Sequence, residues 1–258
     1  MRLMKRILSA AAVLALSASL LVGCSSGTAS SVPVSASSAA ESTVSSVEET
    51  ASSAVDENEA AAAQLLNDLT GSYQELWPVI LADEYKQTWL DDCTALVGED
   101  NAEAAFEKLS SMVTGDVYGE DAVKAYANGG GAYFCGFTNS LAILTFDGET
   151  STISGTDKDG NVLFSHTYHY IGMEPVRGLY EFQSDDADSG EFTYFFLAPD
   201  TSAETYHIEF RYGSDAEALS QYDTGEYAYW LASGISTDCD QTMIDNCIEL
   251  FCTENLAV

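Results

Sequence analysis

From Ala132 to about Tyr212 apolar and polar residues alternate with period two in short runs, and that rhythm constrains the fold more than anything else in the chain. The runs are AYFCGF, LAILTF, STISGT, VLFSHTYHYI, GLYEF, EFTYFFL and TYHIEFRY, rich in aromatic and β-branched residues. Turn signals separate them, among them Asp147-Gly148 and Asp159-Gly160-Asn161. Successive strand side chains point to opposite faces, so each run can bury one face and solvate the other. About seven or eight short antiparallel strands joined by hairpins are predicted, as in a sandwich or a closed barrel.

Helical periodicity flanks these strands. Apolar residues at 69, 73, 76 and 77 predict a helix through Asp68–Pro78, and Asp100-x-x-Glu103 opens a second that runs to Val113. A short helix from Glu120 should end at Asn128-Gly129-Gly130-Gly131. After the strands, Ser214-Asp215-Ala216-Glu217 starts a short helix. Thr237-Asp238-Cys239-Asp240 starts the terminal one, whose apolar stripe is Met243, Ile244, Cys247, Ile248 and Phe251.

The first residues set an expectation about place. Arg2, Lys5 and Arg6 precede an apolar run too short to span a bilayer, which ends at Leu21-Val22-Gly23-Cys24. A cysteine after a small residue resembles the lipobox of bacterial lipoproteins. Residues 1–23 are therefore expected to be a lipoprotein signal peptide, and Cys24 the lipidated new N-terminus. Residues 24–60, rich in Ser, Ala and Glu, make a flexible tether, and 61–258 form one folded domain. The expected location is the cell envelope, outside the cytoplasmic membrane, with the lipid as the only membrane contact.

The net charge of -32 narrows the partners. Nucleic acid is excluded electrostatically, anionic lipid surfaces are repelled, and cations are attracted. No nucleophile motif or metalloprotease helix is present, so an enzyme is not expected. Five cysteines remain after Cys24, at 93, 135, 239, 247 and 252, so at least one is unpaired, and spacing does not give the connectivity.

Only three histidines occur, at 166, 169 and 207. Strand alternation puts Thr205, His207, Glu209 and Arg211 on one face and Tyr206, Ile208, Phe210 and Tyr212 on the other. His207 and Glu209 could then offer an imidazole and a carboxylate to one metal ion, with His166 or His169 as a possible third ligand. Alternatively the face is solvated and Glu209 pairs with Arg211. His166 and His169 have opposite parity and cannot both line one cavity of a regular strand. Asp157-Lys158-Asp159-Gly160-Asn161 is read as a hairpin turn rather than a calcium loop, and the acidic stretch 183–191 as a solvated connector.

The segment LNDLTGSYQELWPVIL resembles the opening of the ZinT family, also found as the C-terminal domain of AdcA-type zinc-binding lipoproteins. Gly71, Tyr73, Gln74, Trp77 and Pro78 fit that motif, while Leu69 stands where tryptophan is usual. RGLYEF, EFTYFFLAP and TYHIEFRYGSDAEAL resemble the family's later strands, its Ala198-Pro199 turn and its helix start at Gly213. The resemblance implies a mainly β fold, a lipocalin-like (calycin) antiparallel barrel with N-terminal helices and a C-terminal helix. It further implies a Zn2+ site near the barrel mouth and a role beside a metal ABC transporter. Of its three ligand positions, the pair falls on His207 and Glu209, and the first on Phe195. A rival reading keeps the barrel without the metal, as a module for a small organic ligand or a protein partner in an aromatic-lined cavity.

Overall fold

The computed structural model describes residues 57–114 and 133–256; the expected signal peptide, the expected lipidation site Cys24, most of the expected tether and the helix expected from Glu120 lie outside them. A helix over 57–68 leads into strand β1 (Gly71–Glu75) and a short helix, Leu76–Ile80. A helical hairpin follows, Lys86–Val97 and Glu99–Thr114. Seven strands complete the sheet: β2 (Ile143–Asp147), β3 (Thr152–Thr156), β4 (Val162–Met173), β5 (Tyr180–Ser184), β6 (Tyr194–Leu197), β7 (Ile208–Gly213) and β8 (Ala232–Ser236). The terminal helix is Gln241–Leu256.

Each strand pairs antiparallel with the next in sequence, and β8 pairs with β1, so the sheet closes as an up-and-down barrel of eight strands. This is the lipocalin-like architecture expected, with the helix over 57–68 before it, the other N-terminal helices inserted between β1 and β2, and the terminal helix after it. The predicted turn at Asp157 is a hairpin turn. Its carboxylate accepts hydrogen bonds from the backbone N–H of Asp159 and Asn161 and from the Asn161 amide, which holds its pKa below the ordinary value.

Three expectations change. The helix read through Asp68–Pro78 is interrupted by β1: Tyr73 points into the core, edge-on to Phe146, and pairing with β2 and β8 outweighs local helix preference. Of the run AYFCGF, the described residues 133–137 do not form a barrel strand. They are stitched on one side to the end of the hairpin, through Tyr133 N–H to Met112 O and Cys135 N–H to Val113 O, and on the other to residues 229–233. The eighth strand is ASGIS, whose small residues carry no visible alternation. At Gly234 a Cβ would stand 3.2 Å from Ile208 and 3.4 Å from Tyr73, closer than the neighbouring strands comfortably allow.

Two cores result. Inside the barrel, Phe164, Tyr168, Phe195, Phe210 and Tyr212 form a continuous set of ring contacts with centroids 5.4–6.5 Å apart. The aromatic-lined lumen that a small-molecule carrier needs is thus occupied by the protein's own side chains. A second core lies between the outer wall and the helices, where Trp77, Ile80, Trp89, Leu109, Ile235, Ile244, Cys247 and Ile248 are buried.

Candidate metal site at the seam between barrel and terminal helix

His207 and Glu209 lie where β7 begins, on its outward face, while Ile208, Phe210 and Tyr212 point into the barrel. The face is only partly solvated: His207 is 20% exposed and Glu209 43%. The terminal helix covers it. Cys247 Sγ lies 4.0 Å from His207 Nδ1, and Phe251 and Asn255 share a groove with Glu209. That groove, of 220 Å³, is also lined by Trp77, Tyr133, Cys135 and Arg177.

The orientation of the imidazole follows from one contact. His207 Nδ1 is 2.7 Å from the backbone oxygen of Thr205. A carbonyl can only accept, so Nδ1 carries the hydrogen and donates it. Neutral imidazole then has its lone pair on Nε2, which lies 3.9 Å from Glu209 Oε1. Two donors to a tetrahedral zinc, each about 2.0–2.2 Å from it, stand about 3.3–3.5 Å apart. A small swing of the carboxylate closes the difference, and a histidine anchored through its second nitrogen to a carbonyl is a usual support for a metal ligand.

Glu254, on the terminal helix, was missed by sequence reasoning. Residues 247, 251, 254 and 255 share one face of a helix, and the Glu254 carboxylate interacts electrostatically with both His207 and Glu209. Burial raises its pKa above the ordinary value, Glu209 and Asp200 raise it further, and His207 opposes them. Glu254 is itself exposed, and one carboxylate among several on an acidic helix gives no sequence signal of its own. Cys247 sits on the Nδ1 side of the imidazole, and burial pushes its thiol up to about 12, so it packs as a neutral group.

The other histidines are elsewhere. His169 is level with Gln183, Gln183 with Tyr194, and Tyr194 with Gly213, which is six residues beyond His207 on β7, or about 20 Å at strand rise. His166 lies further still in the same direction. The register therefore places both at the opposite end of the barrel, which corrects the expectation of either as third ligand. Each is paired with an aspartate of the acidic connector: His166 Nδ1 with Asp186 at 2.7 Å and His169 Nδ1 with Asp185 at 2.6 Å. Their opposite parity holds, since His166 stacks on Phe164 while His169 faces solvent.

Phe195, on which the resemblance puts the first ligand position, has its side chain fully buried in the lumen, on the face of the wall opposite Glu209. Among the described residues, no three His, Cys, Asp or Glu side chains already stand grouped for a metal ion.

Neither a family model nor a curated protein matches the sequence. Among solved structures, the chain is similar to the Zn(II)-bound ZinT-like domain of Streptococcus pneumoniae AdcA, at 15% identity over 71% of this chain and 89% of that one, with a TM-score of 0.46. It is also similar to Zn(II)-bound AdcA of Streptococcus pneumoniae, at 16% identity over 75% of this chain and 35% of that one, with a TM-score of 0.41.

Proposed function

We propose that the protein is an exported lipoprotein, anchored through Cys24, that captures zinc or a similar divalent cation outside the membrane at His207 and Glu209. The reading rests first on the Nδ1–H bond to Thr205, which leaves Nε2 free and turned toward a carboxylate. An imidazole with a carboxylate suits zinc, and the surplus of acidic residues draws cations toward the surface. Glu254 offers a further oxygen donor from the facing helix, and water or a small anion completes a coordination of four.

The role is accessory to metal uptake or homeostasis, with a metal ABC transporter as the receiving partner. The metal is cargo, and the protein's contribution is to hold and release it rather than to catalyse. Calorimetric titration of the metal-free mature protein with zinc tests the reading: one site per chain is expected. No heat and no bound metal after dialysis would overturn it.

A further inference from the structure

Cys93, on the helix Lys86–Val97, and Cys252, on the terminal helix, are both fully buried, and their Sγ atoms lie 4.0 Å apart. The two sulfurs are near van der Waals contact, and bonding would bring them from 4.0 Å to about 2.05 Å. The other three thiols of the domain are engaged differently: Cys135 Sγ lies 3.5 Å from the Tyr133 carbonyl, Cys247 lies against His207, and Cys239 stands part-exposed at the start of the terminal helix. We propose that Cys93 and Cys252 are joined as a disulfide while the chain folds outside the cytoplasm, which ties the helical hairpin to the terminal helix.

The proposal rests on the export reading, because disulfides persist where thiols are not kept reduced. The two thiols give up two protons and two electrons, and the electrons reduce an incoming disulfide, of a thiol oxidase or of oxidised glutathione, to two thiols. Burial raises both cysteines, which disfavours the attacking thiolate in the finished core, so exchange takes place before the two helices close. The residues are 159 apart in sequence, and the covalent loop would enclose every strand from β2 to β8. Long loops are where cross-linking restricts the unfolded chain most.

The test uses the full-length lipoprotein purified from the cell envelope, denatured and alkylated without reductant, then digested for mass spectrometry. A peptide pair joining Cys93 to Cys252 is expected, two hydrogens lighter than the separate peptides, with Cys135, Cys239 and Cys247 alkylated. Alkylated Cys93 and Cys252, or either joined to another cysteine, overturns the proposal. The same digest reports whether the N-terminal peptide begins at an acylated Cys24, which separates failure of the export reading from failure of the pairing. Thermal unfolding gives a second measure: reductant should lower the melting temperature of the parent by on the order of 10 °C and leave Cys93→Ala/Cys252→Ala unchanged. Equal loss in both would also overturn it.

Discussion

Arg211 stands two residues from Glu209 on the same face of β7, yet it turns its guanidinium away from that carboxylate. It is fully buried, donates to the backbone oxygens of Leu219, Gln221 and Tyr227, and lies 4.3 Å from the ring centroid of Tyr222. The surface ion pair that spacing allows is replaced by a clasp over the segment before β8, and Glu209 is left to face His207.

Replacing Arg211 with alanine should therefore act on folding. The loss of several charge-assisted bonds, with three carbonyls left short of a donor, predicts destabilisation by about 2–4 kcal/mol in urea unfolding. Faster amide exchange confined to residues 219–230 would locate the effect, and unchanged exchange there would contradict it.

At the proposed metal site, His207→Ala and Glu209→Ala should each weaken zinc binding by about tenfold or more in calorimetric titration. Both substituted positions are partly exposed, so melting temperatures without metal should shift little. Parent-like affinity in both variants would show that zinc binds elsewhere.

Glu254 yields a prediction with a definite sign. Its pKa is raised in the folded protein, so ionisation costs stability as pH rises from the ordinary value of 4.5 through the folded value. Glu254→Gln removes that cost: without metal it should melt slightly above the parent at pH 7, with a smaller gap at pH 5. With zinc present the order should reverse, since the parent gains a donor. A parent that melts higher than the variant without metal would contradict the argument.

Phe195 tests which side of the wall matters. Phe195→Ala should destabilise the protein by about 3–5 kcal/mol by opening a cavity among aromatic rings. Phe195→His should also destabilise it, by roughly 1–3 kcal/mol, because the imidazole is buried without a partner. Neither should tighten zinc binding, and a histidine there that raised affinity would place the site inside the barrel.

The strands from β2 to β5 are legible in the sequence because their burial alternates and so gives period-two contrast, while β6 and β7, buried at nearly every position, are legible through their aromatic and β-branched content. The two that seal the barrel are not. β1 sits inside a helix-like pattern, and β8 is a run of small residues whose identity as a strand comes from its neighbours. The candidate pair His207 and Glu209 was legible from parity alone. Glu254 was not, because its approach depends on how the terminal helix docks against β7, and no local pattern encodes a docking.

Aromatic rings occupy the barrel lumen, and the proposed metal site lies on the outer face of the wall. If the seam between β7 and the terminal helix is where this protein meets its ligands, then changes at 207, 209, 254 or 255 can alter what is held there while the aromatic interior stays the same. The scaffold separates the part that keeps it folded from the part free to diversify, and selectivity can drift along the seam at little cost to stability.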